Sequence, residues 1–380
     1  MEKFLTAGES AVKYLAQAFE IKLLEELTGR ISVTSLAGCG RVSGKWQLEI
    51  DGERYSFGQF LLNDMRVDET REFLLSVDVP DMVYGSCAVL IVRLYDEDGV
   101  LCAEDDFNVH PAAWLVPPPV TEQYITGVRY DVSQAIISSG KLSAVIDANG
   151  MRELRYNGEK IISGGPRLSL WQAQMVPEKL AMLKLDRIKV AADRFVSDGR
   201  SIECHALALP KVMEVDELEF TQRFTPQNDG SIRYDVEFVV PESFAGIPRL
   251  GVLFRIPAAM EKVTFFGNGP HENYPGTPGA IKSKYTFDVK DMYIPGSFGS
   301  VRSGVRKLKF TGETAALEIS CCNDFAFSAL PFSDFALEDA AVAGKLPVKE
   351  FENSVHIDCR HAGGGNVISA GVYRMTLFFK

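Results

Sequence analysis

Between Glu217 and Val240 the chain reads ELEFTQRFTPQNDGSIRYDVEFVV. Apolar residues fall on alternate positions on both sides of Asn228-Asp229-Gly230, the period of a pleated strand with a turn at its centre. A long antiparallel hairpin is expected there, and runs of the same kind fill most of the remaining sequence. RISVTSL, WQLEIDG, REFLLSVDV and AVLIVRLYDEDGVLCAEDDFNV occupy the first third. LSAVIDANGMRELRYNGEKIIS, GVLFRIP, KVTFF, VRKLKF, AALEIS, SVHIDC and GVYRMTLFFK follow. In WQLEIDG, Trp46, Leu48 and Ile50 alternate with Gln47, Glu49 and Asp51, which predicts one dry face and one wet face. Asp98-Gly99, Asn149-Gly150 and Asn157-Gly158 mark further turns. The fold class expected from this pattern is all-β.

Helical signals are few. SAVKYLAQAF spaces Val12, Leu15 and Phe19 as a helix would, and reads as a short helix or the lead-in to a first strand. Ser333 is a plausible N-cap, Asp334 and Glu338 lie near the positive end of the helix that follows, and Gly344-Lys345 closes it.

A chain of 380 residues exceeds one ordinary core, so two domains are expected. Leu115-Val116-Pro117-Pro118-Pro119 stiffens the chain and removes backbone donors, which suits a linker. The division is therefore 1–19 as a lead-in, 20–114 as an immunoglobulin-like β-sandwich, 115–121 as a Pro-rich linker and 122–380 as a large antiparallel sandwich.

The formal charge of −11 and the absence of a Lys/Arg cluster disfavour a nucleic-acid partner, whose backbone wants a basic face. No run reaches the length of a membrane span, and Glu9, Lys13, Gln17 and Glu20 interrupt the start where a signal peptide would be continuously apolar. Seven cysteines (Cys39, Cys87, Cys102, Cys204, Cys321, Cys322, Cys359), odd in number and without Cys-x-x-Cys, fit free thiols in a reducing compartment. A cytoplasmic location is the expectation.

Catalytic patterns are scarce. There is no Gly-rich phosphate loop, no Gly-x-Ser-x-Gly and no His-Glu-x-x-His. His110, His205, His271, His356 and His361 are not spaced as metal ligands on one element, and no metal or cofactor is expected. Acidic groups such as Asp96-Glu97-Asp98 and Asp105-Asp106 sit in patterns that read as exposed. One stretch differs: FFGNGPHENYPGTPG, residues 265–279, leaves a strand and enters a long loop rich in packing residues, and such loops are commonly functional. Glu272 is the best single carboxylate for glycoside chemistry, although a carboxylate in a Gly/Pro-rich loop also serves by accepting backbone amides, helped by Asn273 and Tyr274. Trp46, Trp114, Trp171, Tyr274 and Tyr293 are the aromatic faces suited to stacking on sugars, and each also reads as packing.

Phe266-Gly267-Asn268-Gly269-Pro270-His271-Glu272-Asn273-Tyr274-Pro275 closely resembles a hallmark segment near the C-terminus of the large bacterial β-galactosidases of glycoside hydrolase family 2. Asp291-Met292-Tyr293-Ile294-Pro295, Phe327-Ser328-Ala329-Leu330-Pro331 and Val355-His356-Ile357-Asp358 resemble later segments of that family, in the same order. The resemblance implies the last two of five domains: an immunoglobulin-like fourth and a fifth that is a super-sandwich related to galactose mutarotases. It also implies that the catalytic carboxylates belong to a central barrel outside this sequence, so no residue here inherits a catalytic role.

Two departures bear on a sugar site. Leu170-Trp171-Gln172-Ala173-Gln174-Met175-Val176-Pro177 stands where the family shows Trp/Phe-Arg-Ala-Pro and an Asp-Asn-Asp cluster. Gly364-Gly365-Asn366-Val367-Ile368-Ser369 stands where it shows Gly-Gly-Asp-Asp-Ser-Trp, with a serine about where the Trp would be. The candidate sugar-proximal or loop-shaping residues are thus His271, Glu272, Asn273, Tyr274, Trp171 and Asn366. The resemblance makes the chain a C-terminal portion or small-subunit-like partner of a β-galactosidase, with galactose, a β-galactoside and a barrel-containing partner as the molecules it would meet. A non-catalytic carbohydrate-binding module and a mutarotase-like epimerase are the alternatives.

Overall fold

The computed structural model describes every residue except 1–4, 27, 81, 83–85, 110–124, 174, 176, 177, 213, 214, 296 and 298, together with all side chains outside these but those of 179 and 322. The linker expected at 115–121, His110 and Trp114 lie outside the described residues. The chain divides into two units: Met1–Pro119 with Phe266–Tyr285, and Val120–Phe265 with Thr286–Lys380. The hairpin tip bearing the His-Glu-Asn-Tyr sequence thus belongs with the first unit, although its neighbours in sequence belong to the second.

The alternating runs form antiparallel strands, so the chain is all-β apart from short helices. In the first unit, Phe19–Glu25, Arg30–Ser35 and Thr70–Leu74 make a three-stranded sheet. Glu53–Leu62, Val42–Ile50, Ala88–Tyr95 and Leu101–Asn108, in that spatial order, make a four-stranded one. Ile31, Val33, Leu48, Leu90 and Val92 meet in one fully buried core, because period-2 spacing sends each to the same face of its strand. Helix α1 (Ala7–Leu15) precedes the first strand, with a capping box of Thr6 and Glu9. Both readings of SAVKYLAQAF are therefore realised, helix first and then a strand from Phe19.

The wet face assigned to WQLEIDG needs correction. Glu49 is 5% exposed, and Ser283 donates to both of its carboxylate oxygens at 2.9 and 2.8 Å. A small apolar cluster of Cys87, Val89, Ile91, Phe266 and Ile281 lies on the same four-stranded sheet, so the 266–285 segment covers what the strand pattern leaves open. Asp105 and Asp106 are likewise half-buried rather than exposed. Burial, and next the charge of Asp105, pushes the Asp106 carboxyl up to about 7. Because an unfolded Asp ionises near 4, this group favours the folded state at acid pH, and that stability is lost as pH rises through about 7. Asp106→Asn is expected to flatten this dependence and to gain about 1 kcal/mol or more at pH 8 relative to the parent chain. Denaturant unfolding at pH 5 and pH 8 measures it, and equal pH dependence in both proteins would refute it.

In the second unit, a five-stranded sheet runs Glu159–Ile162, Gly150–Tyr156, Leu142–Asp147, Ala135–Ser139 and Thr126–Tyr130. A larger sheet is ordered Gly164–Ser169, Arg249–Pro257, Glu352–His361, Ala316–Leu330, Gly371–Phe379, Ile232–Val240, Leu218–Pro226, Ile202–Leu209 and Lys189–Ser197. The hairpin expected around Asn228-Asp229-Gly230 is present, with Phe220 opposite Phe238 and Phe224 opposite Tyr234. These rings stack within the core, where Tyr234 and Phe254 also meet Phe379. Each fully buried aromatic of this kind contributes about 1.5–3 kcal/mol by leaving water. Helix α2 (Asp334–Val342) starts at Ser333, whose hydroxyl accepts from the amide of Ala336 at 3.2 Å, and Gly344 past its end takes a positive φ of 62°.

Candidate functional site

The candidate residues fall into two groups, one in each unit. His271, Glu272, Asn273 and Tyr274 lie in the first unit, at the tip of the 266–285 hairpin. The side-chain amide of Asn273 donates to the carbonyls of Asn268 and His271 at 3.0 and 2.9 Å, and the Tyr274 hydroxyl donates to Glu272 at 3.2 Å. Glu272 is 3% exposed and Asn273 fully buried.

This tip grips the beginning of the chain. The amide of Leu5 donates to His271 Nδ1 at 3.2 Å, that of Glu272 donates to the Leu5 carbonyl at 3.2 Å, and that of Ala7 donates to Glu272 Oε2 at 3.3 Å. Glu272 thus sits at the start of α1, where a carboxylate is favoured by the unpaired amides of the first turn. Gly279 has φ +79°, and a Cβ there would lie 2.5 Å from the Cβ of Tyr14. Only glycine lets α1 come this close. The Tyr14 hydroxyl donates to Asp105 at 2.9 Å; burial, and next the Asp105 charge, pushes this phenol up to about 12. His271 also lines a cleft of about 300 Å³ with Lys13, Tyr14, Gln17 and Glu104.

Trp171 and Asn366 lie in the second unit, where a relay of hydrogen bonds runs from Gln172, the neighbour of Trp171, to Asn366. Trp171 packs its ring against Phe335 of α2, with centroids 5.0 Å apart. Its neighbour Gln172 is fully buried, with Oε1 2.6 Å from His361 Nε2. The amide of Gly363 donates to His361 Nδ1 at 2.9 Å, and Asn366 Nδ2 donates to the Gly363 carbonyl at 2.7 Å. Accepting at Nδ1 fixes the proton on Nε2, where Gln172 takes it. The imidazole is therefore neutral, in keeping with burial and the nearby Arg249 charge, which hold its pKa well below the usual histidine value.

Beside this relay lies a polar cluster that the sequence reading did not assemble. Ser169 Oγ is 3.0 Å from His356 Nδ1, and His356 Nε2 is 3.0 Å from Asp334. Arg249 contacts Asp358 at 3.1 Å and Asp334 at 3.7 Å. Capping places Asp334: Glu350 accepts from the Ser333 amide and hydroxyl at 3.1 and 2.7 Å and pairs with Arg255 at 3.1 Å. The two carboxyls respond oppositely. Burial would raise Asp334, but His356 and Arg249 outweigh it and hold its pKa below the ordinary value. At Asp358 burial wins over Arg249, and the pKa is raised. Divergence of this kind within one pair often marks an acid and a base.

The line Ser169–His356–Asp334 has the connectivity of a nucleophile, a base and an orienting carboxylate. Ser169 is 6% exposed and His356 3%, so the line is enclosed and ties the Gly164–Ser169 and Glu352–His361 strands to α2. The signal for this cluster is present in SVHIDC, where His356 and Asp358 share one face of the strand and Val355 and Ile357 the other. Among the described residues, no three or more His, Cys, Asp or Glu side chains are grouped to hold a metal ion, and no helix is long and apolar enough to cross a membrane.

Comparison with known proteins gives this architecture a family. Over 348 residues the chain is 29% identical to the β-galactosidase of Priestia megaterium, covering 84% of this chain and 33% of that protein. Over 187 residues it is 27% identical to the β-galactosidase of Vibrio cholerae, covering 48% of this chain and 18% of that protein. The chain thus spans a third or less of the length of these relatives. A solved structure of a putative aldose 1-epimerase from Escherichia coli aligns with 68% of this chain at 8% identity and a TM-score of 0.37, covering 98% of that protein; at that score the likeness decides nothing. Residues 138–375 match the family described as beta galactosidase small chain, and the chain belongs to that family.

Proposed function

We propose that this chain is the C-terminal part, or a small-subunit-like partner, of a β-galactosidase, and that it serves hydrolysis of terminal β-galactosides by supporting a catalytic portion it does not itself supply. The alignment with the Priestia megaterium enzyme carries this reading: it takes in most of this chain and only a third of the relative. The closed Ser169–His356–Asp334 line supports a role without chemistry of its own. In the first unit, the Phe19–Glu25, Arg30–Ser35 and Thr70–Leu74 strands form one sheet and the Glu53–Leu62, Val42–Ile50, Ala88–Tyr95 and Leu101–Asn108 strands the other, an order that supports an immunoglobulin-like module. Trp171 and Asn366, the second linked through Gly363 and His361 to the Trp171 neighbour Gln172, are the residues of the second unit assigned to the sugar side of the assembled enzyme.

The purified chain alone is expected to leave a nitrophenyl β-galactoside unhydrolysed. Mixed with the Priestia megaterium β-galactosidase shortened by its matching C-terminal third, it is expected to raise the hydrolysis rate at least tenfold. No gain in the mixture, or turnover by the chain alone, would overturn the proposal.

A further inference from the structure

The second unit carries a groove of about 1040 Å³ that none of the clusters above uses. It is lined by residues of the Leu142–Asp147, Gly150–Tyr156 and Gly164–Ser169 strands, together with the buried Ala206 and Phe220. The volume is at the top of the range that encloses drug-sized ligands, so a single sugar ring would not fill it.

The lining has two features that select a ligand class. Its charges nearly cancel: Lys160 pairs with Glu153 at 3.0 Å, and Arg152 faces Asp147 at 3.7 Å. The lining is left with one net positive charge, that of Arg167, a weak field for drawing in a polyanion. The side chains of Gln134, Asn149 and Arg167 also line it, and among the described residues they have no hydrogen-bond or ion-pair partner. Together they offer two amides, which donate and accept at paired positions, and a guanidinium, which only donates. Apolar contact comes from Met151 and Leu168. Planar polar groups beside apolar side chains suit a ligand that alternates hydroxyls with C–H faces.

We infer that this groove is a binding site for a neutral oligosaccharide, separate from the Trp171 and Asn366 region. The choice of a galactoside as probe rests on the proposed function; the neutral, multi-ring character rests on the groove alone. Calorimetric titration of the intact chain with a neutral β-galactotriose, and with a galacturonic acid trimer as its anionic counterpart, tests it. Saturable binding of the neutral trimer is expected below about 10 mM. Arg167→Ala and Asn149→Ala, both at exposed positions, are each expected to weaken it about tenfold, whereas Trp171→Ala leaves it unchanged. Absence of saturation at that concentration, tighter binding of the anionic trimer, indifference to both groove variants, or loss in Trp171→Ala would each overturn the inference. A positive result with no gain in the hydrolysis assay would leave the groove standing and remove the subunit role. The reverse combination would do the opposite.

Discussion

Arg249→Met is expected to lower the stability of the chain by about 3–5 kcal/mol, the usual cost of removing one member of a buried ionic group. Arg249 is 1% exposed and sits between Asp358 at 3.1 Å and Asp334 at 3.7 Å. Methionine fills much of the same space but leaves two carboxyls without their cation. Asp358 already has a raised pKa and would take up a proton. Asp334 keeps His356 at 3.0 Å and would hold its charge longer. The loss should therefore shrink in the double variant Arg249→Met/Asp358→Asn, because the second change removes a buried charge that the first has stranded. Urea unfolding of the parent, both single variants and the double variant measures this coupling. A single-variant loss below about 1 kcal/mol, or strict additivity, would show that the cluster is not a unit.

Gly251→Ala should be comparably severe, for a reason confined to the backbone. Gly251 lies in the Arg249–Pro257 strand, opposite Ser169 on one side and Asp358 on the other. The pairing with Glu352–His361 shifts register between Leu250 and Gly251, and this brings the neighbouring chain unusually close. An added Cβ would lie 2.1 Å from the Ile357 carbonyl oxygen and 2.7 Å from the Asp358 Cα. No flexible side chain is available to move, so the strands themselves must separate. A loss of about 3 kcal/mol or more is expected, at the upper end for point substitutions, together with disturbance of the contact that Ser169, opposite Gly251, makes with His356. Thermal unfolding checks the first and the histidine ring NMR signals check the second. An alanine variant with parental stability would contradict the register described above.

What the sequence made legible was local chemistry. Ser333, Asp334 and Gly344 announce α2 because an N-cap, a helix-start carboxylate and a left-handed terminus act within a few residues. The Asn228-Asp229-Gly230 hairpin is legible for the same reason, its turn and alternation lying side by side. Ile202–Leu209 is not legible as a strand because three of its alternating inward positions are only Cys204, Ala206 and Ala208, too small to make the period stand out. Burial of Glu49 was hidden because Ser283 lies 234 positions away. Arg249 and Asp358 are 109 apart, and no local pattern pairs them. The 265–279 stretch was recognisable as an ordered loop from its composition. Its hold on Leu5 and Ala7 was not, since two backbone amides carry no sequence signature.

On the proposed function, this member of the beta galactosidase small chain family works inside a larger assembly. Sedimentation velocity of the purified chain with the C-terminally shortened Priestia megaterium β-galactosidase tests it most directly. The account predicts a faster-moving boundary containing both proteins at micromolar concentration, present with the shortened enzyme and absent with the full-length one, whose own C-terminal third would occupy the same place. Two independent boundaries in both mixtures would contradict it.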